Sequence, residues 1–85
     1  MTRDEWIRRV KYGTDIIFNV QGKCFTIFNW DQFIITEAYA EEDKRYDTAE
    51  ELVDQFMVNG KSLGELAGEI VIEDYTLAGD YEDLL

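Results

Sequence analysis

Apolar positions along the 85-residue chain change period twice. Trp6, Ile7 and Val10 recur at helical spacing behind Thr2-Arg3-Asp4-Glu5. That T-x-x-E pattern is a capping box: the threonine hydroxyl accepts a backbone N–H of the first turn, and the glutamate reaches back to the cap. Asp4 and Glu5 at the start, with Arg9 and Lys11 at the end, suit the helix dipole. Gly13 supplies a stop, so a short amphipathic helix is predicted over residues 3–12. From residue 15 the period falls to two. Ile16, Phe18 and Val20 alternate, Gln21-Gly22 offers a tight turn, and Phe25 and Ile27 alternate with Cys24, Thr26 and Phe28. Trp30-Asp31-Gln32 interrupts, and Phe33-Ile34-Ile35-Thr36 resumes. Such β-branched and aromatic runs predict three antiparallel strands. Several strand positions are apolar on both faces. Either helices cover one face and a loop or tail shields the other, or an apolar patch is exposed for a partner.

Residues 40–47, AEEDKRYD, read as a polar connection. Thr48-Ala49-Glu50-Glu51 repeats the capping box, and Leu52, Val53, Phe56 and Met57 share one helical face. Asn59-Gly60 reads as the end of that helix. Ser62-Leu63-Gly64-Glu65 is a third capping box, with Leu63, Leu66 and Ala67 on the apolar side of a short second helix. Leu63, Leu66, Ala67, Ile70 and Val71 also fit one continuous helix. Two glycines weaken it, and the triplet Ile70-Val71-Ile72 favours a strand, so the preferred reading is a helix to about residue 68 and then a strand. The fold class is therefore α+β: an N-terminal helix, a three-stranded antiparallel sheet with a fourth C-terminal strand from the triplet, and two short helices packed on one face. One domain spans 1–75. Residues 76–85 form an acidic tail with enough apolar content, at Leu77, Tyr81, Leu84 and Leu85, to dock.

Charge adds the next constraint. Nineteen acids face eight bases, for a net charge of −11. Residues 1–36 carry four acids and five bases, whereas residues 37–85 carry fifteen acids and three bases. Such an excess repels phosphate, so free nucleic acid and anionic lipid are excluded as partners, and a basic protein surface is favoured. Solubility alone also explains a charged surface. One cysteine, Cys24, makes no internal disulfide. MTRDEW is not the start of a signal peptide, and no apolar run is long enough to span a membrane. These features point to a small soluble cytoplasmic protein.

Catalytic chemistry finds little material. With no histidine, the commonest general base and metal ligand are both missing. Cys24, between Lys23 and Phe25, lacks the base that activates a thiolate and fits a small residue filling a sheet position. Asp80-Tyr81-Glu82-Asp83 lacks calcium-loop spacing. Asn59-Gly60-Lys61-Ser62 resembles the end of a phosphate loop, but a turn and a helix cap account for all four residues. The chain is expected to be no enzyme, with no catalytic, metal or cofactor site.

What remains is surface. Glu50, Glu51 and Asp54 occupy the polar side of the second helix, behind Glu41, Glu42, Asp43 and Asp47. Glu73, Asp74, Asp80, Glu82 and Asp83 crowd the C-terminal segment. A charge run on a helix commonly serves as a solvated face. Carboxylates spaced like backbone phosphates, ~7 Å apart, would instead occupy a basic groove with salt-sensitive affinity. Tyr46 and Tyr81, with Tyr39 and Tyr75, would add aromatic anchors; ordinary packing at the edge of the core explains them as well.

Three motifs carry a resemblance: Asn19-Val20-Gln21-Gly22-Lys23-Cys24-Phe25-Thr26-Ile27, Tyr46-Asp47-Thr48-Ala49-Glu50-Glu51-Leu52, and Val58-Asn59-Gly60-Lys61-Ser62-Leu63. Over roughly residues 12–75 the chain resembles a set of small proteins of Gram-positive bacteria and their prophages, which share an NGK-aromatic hairpin, a T-x-E-E-L helix and a G-K-S-L turn. Gln21 stands where that hairpin usually has asparagine. The resemblance implies no activity, and no catalytic residue carries over. In size and acidity the chain is also similar to phage anti-CRISPR proteins, several of which occupy the DNA-binding groove of a Cas nuclease. Together these features give the expected function: an acidic interaction module that binds a basic nucleic-acid-binding protein, such as a Cas nuclease, as a nucleic-acid mimic. The alternative is a structural or assembly module that forms a homodimer through its sheet.

Overall fold

The computed structural model describes residues 1–40 and 42–77. Helix α1 (Arg3–Tyr12) starts as its capping box requires: the Glu5 N–H donates to Thr2 Oγ1 at 3.1 Å. It buries Trp6, Ile7 and Val10 and runs without a loop into β1 (Gly13–Val20). A two-residue turn leads to β2 (Lys23–Asn29), and residues 30–32 lead to β3 (Phe33–Glu37). Strand β4 (Asp43–Tyr46) and helix α2 (Ala49–Gln55) follow. A small hairpin, β5 (Met57–Val58) and β6 (Lys61–Ser62), a 3-10 turn (Ala67–Glu69) and β7 (Val71–Leu77) complete the described chain.

The fold is α+β. Its main sheet is antiparallel with the order β4-β3-β2-β1-β7, so it has five strands rather than three or four. β7 forms at the predicted triplet and pairs with β1, reaching two residues into the segment read as a tail. The polar connection over residues 40–47 contains β4, paired with β3 from Phe33–Tyr46 to Thr36–Asp43. Charged edge strands of this kind are protected against adding further strands, which is why β4 lacks apolar alternation. The predicted helix over 62–68 is replaced by β6, turns and the 3-10 turn. The Ser62 hydroxyl still accepts the Glu65 N–H at 3.1 Å, but no α-helix grows from it. Leu63 N–H donates instead to Phe56 O, and Gly64 N–H donates to Val53 O at 2.8 Å, tying this segment to α2.

Asn59-Gly60 does not end α2, which stops at Gln55. It is a hairpin turn with φ of 52° and 84°, matching Gln21-Gly22 at 53° and 74°. Positive φ at both central residues matches the twist of the flanking strands. Gln21 is a poorer left-handed residue than asparagine, but its longer side chain donates to Glu69 at 2.7 Å and accepts from Asn59 at 3.4 Å. The tips of the two hairpins and the 3-10 turn are thereby linked.

Alternation sorts the sheet into two faces. Ile16, Phe18, Val20, Phe25, Ile27 and Ile35 point into the core with α1, α2, Leu63 and Leu66. Four rings cross this core: Trp6–Phe18 edge to face at 5.0 Å, Phe18–Phe25 stacked at 5.4 Å, and Phe25–Phe56 edge to face at 5.5 Å. The opposite face carries Asp15, Ile17, Thr26, Phe28, Ile34, Thr36 and Arg45, and no helix among the described residues covers it. Nor is any helix among the described residues long and apolar enough to cross a membrane.

Candidate functional site

The acidic residues near α2 are largely occupied in building the fold. Thr48 caps α2 by accepting the Glu51 N–H at 3.1 Å, while the Glu51 carboxylate accepts the Asp47 N–H at 3.3 Å. Asp47 also accepts from Gln32 Nε2 at 2.9 Å. Asp54 forms a two-pronged pair with Arg3, at 2.8 Å from Nε and 2.6 Å from the terminal nitrogen. Asp43 lies 4.0 Å from Arg45. Glu42 and Glu50 are exposed, and Glu50 lines a shallow groove with Arg3, Asp4, Arg8 and Lys11. The corner is thus a mixed-charge surface. Tyr46 is half-buried against the core, and burial raises its phenol pKa. Glu41, Asp80, Tyr81, Glu82 and Asp83 lie outside the described residues.

The Arg3 guanidinium holds the Asp54 carboxyl below its usual range, chiefly by hydrogen bonding. A depressed folded-state pKa gives stability that is fully present above the unfolded carboxylate value, about 4, and lost as pH falls through the folded value. Both side chains are nearly half exposed, at 48% and 43%, so screening keeps the effect small. Acid unfolding of Asp54→Asn is expected to begin from a lower stability above about pH 5 and to converge with the parent as pH falls below the depressed folded-state value. Urea midpoints taken across that range check it.

The acids of β7 lie on the far side of the molecule. β4 and β7 are opposite edges with three strands between them, roughly 19 Å apart at normal strand spacing. The carboxylates read as one surface therefore form two. At the β7 edge, Asp74 pairs across from Ile17, and Asp15 from Thr76. Asp15 and Asp74 are thus diagonal neighbours on one face, roughly 7–8 Å apart. Glu73 sits at a bulge and accepts from Asn19 Nδ2 at 2.6 Å, and Glu69 accepts from Gln21. None of these four carboxylates makes an ion pair with a described residue. Tyr75 lies on the core side, its hydroxyl donating to Arg9 O at 2.7 Å. Asp15 and Glu69 are members of this strip that sequence reasoning passed over. Alternation could have found Asp15, two positions before Ile17 on the same face.

A third feature is the helix-free face itself. Ile34 is only 7% exposed yet lies outside the core cluster. Beside it, Phe28 packs against Trp30 at 5.6 Å, and Trp30 remains 72% exposed. Phe28 and Ile34 stood out from their doubly apolar strands, whereas Trp30 read only as a break between strands. Among the described residues, no group of three or more Cys, Asp or Glu is arranged to hold a metal ion. No family model, curated protein or solved structure matches the chain.

Proposed function

We propose that the protein is a small, acidic, non-catalytic interaction module that binds a basic protein surface through its β1–β7 carboxylate strip. The observation that carries this reading is that Asp15, Glu69, Glu73 and Asp74 make no ion pair with a described residue. Near α2, Asp54 is neutralised by Arg3 and Glu51 is used in capping, which leaves the strip as a cluster of acids without a neighbouring base among the described residues, in a chain of net charge −11. A cationic partner would be steered to it and would neutralise it. The diagonal Asp15–Asp74 spacing, roughly 7–8 Å, suits a groove that otherwise holds phosphates. The partner class is therefore a nucleic-acid-binding protein, and the action is occupation of its groove.

Tagged protein and its Glu73→Lys/Asp74→Lys variant test this reading. The parent is expected to retain a basic nucleic-acid-binding protein from lysate at low salt, to release it as salt rises, and to displace nucleic acid from it. The variant should lose about tenfold or more in affinity. Equal retention by both, or a retained protein that still binds nucleic acid, overturns the reading.

A further inference from the structure

We propose that a second copy of this chain docks on the helix-free sheet face, related by a two-fold axis parallel to the strands and centred over the Phe28–Ile34 pair. Read across the sheet, Arg45, Ile34, Phe28 and Asp15 are successive cross-strand neighbours on that face. The order is cation, apolar, apolar, anion, which is complementary to its own reverse. A two-fold axis along the strands, set between β2 and β3, performs that reversal. Arg45 then meets Asp15 of the partner subunit, Ile34 meets Phe28 of the partner subunit, and both contacts occur twice. An axis across the strands would stack each strand on itself and oppose like charges, so the pattern selects one of the two face-to-face arrangements.

Two further observations fit the same axis. Trp30 lies in the turn joining β2 to β3, at the end of the axis, so the two indoles meet there. An exposed tryptophan packed on a phenylalanine is the side chain that most often anchors an interface. In the neighbouring row Thr36 meets Thr26 of the partner subunit, and Asp43, 4.0 Å from Arg45 of its own chain, lies over Ile17 of the partner subunit. Sheets packed this way keep their strands within about 30° at a spacing of about 10 Å.

The arrangement also answers the objection that a chain of charge −11 repels itself. With the axis between β2 and β3, β7 projects past β4 of the partner subunit, so Glu73 and Asp74 lie on opposite rims of the pair. This contact takes Asp15 out of the carboxylate strip and leaves Glu73 and Asp74, on the rims, to the proposed basic partner. A foreign basic surface would confront Arg45, and an acidic one would confront Asp15; a second copy satisfies both.

Sedimentation equilibrium of the full chain, from micromolar to millimolar, tests the proposal. A monomer–dimer equilibrium is expected. Arg45→Asp and Asp15→Arg should each weaken it by about tenfold or more, because each brings like charges together. The double variant R45D/D15R should restore association, an outcome that a merely structural role would not produce. In a Trp6→Phe background, Trp30 emission should shift to the blue with association. Glu73→Lys/Asp74→Lys should leave a dimer intact, which separates failure here from failure of the basic-partner reading. A monomer throughout the range, a dimer indifferent to either single reversal, or loss that the charge swap does not repair would each overturn the proposed axis.

Discussion

Trp6→Ala is expected to destabilise the protein by about 3–5 kcal/mol, the usual cost of deleting a large buried aromatic. A domain of this length has roughly 4–13 kcal/mol in total, so the variant should be close to unfolding. Trp6 is completely buried and starts the row of rings that joins α1 to the sheet and to the end of α2. Its loss would open a cavity bounded by Phe18, whose ring Trp6 meets edge to face at 5.0 Å. The indole N–H has no hydrogen-bond partner among the described residues. A buried unpaired donor carries a penalty of about 1–3 kcal/mol, and phenylalanine removes it while keeping most of the packing. Trp6→Phe should therefore change stability by less than about 1.5 kcal/mol. Urea midpoints and slopes for both variants check this. Equal damage from the two would mean that a phenyl ring cannot replace the packing of the indole.

Gly13→Ala should cost about 1–3 kcal/mol by overpacking. Gly13 joins α1 directly to β1, and its backbone, φ −91° and ψ 150°, is open to any residue. The glycine is therefore not the left-handed helix stop that its position suggests. Space is the constraint. A Cβ there would lie 3.0 Å from Tyr75 Cε2 and 3.1 Å from both Arg9 O and Ile16 Cδ1. The Tyr75 ring cannot easily withdraw, because its hydroxyl is bonded to that same Arg9 carbonyl. Coupling follows from shared contacts: in a Tyr75→Ala background the added methyl should cost clearly less. Thermal unfolding of the four proteins in this cycle measures the coupling, and strict additivity would show that the clash lies with the backbone instead.

Legibility in the sequence followed how locally each element is determined. α1 and the first three strands were readable because cap, period and turn all lie within a few residues of one another. β4 was not, since Asp43-Lys44-Arg45-Tyr46 is an edge strand whose pairing depends on β3. The segment from Ser62 misled through a real signal: its capping bond forms, but Leu63, Leu66 and Ala67 are buried by tertiary contact without a helix. Asn59-Gly60 was given the wrong role, although that dipeptide is the strongest short-range hairpin signal. The acidic surface was readable as composition but not as geometry. Nothing near Asp54 reveals that Arg3, 51 positions away, neutralises it, and only the strand order separates the acids of β4 from those of β7.

The pairing of β7 with β1 also dictates an order of events. The hairpins joining β1 to β2 and β5 to β6 close through two-residue turns, a process of microseconds in isolation. β1 and β7 meet through residues such as Thr14 and Thr76, 62 positions apart along the chain, and such distant contacts form slowly because loop closure must come first. Until β7 arrives, β1 is an open edge, with Ile16 and Phe18 covered by α1 but their backbone unpaired along one side. During synthesis that edge stays open until residue 77 has left the ribosome. A nascent chain stalled short of Val71 would carry a nearly complete core beside a bare strand, the state in which a neighbouring copy's β7 can bind in place of its own.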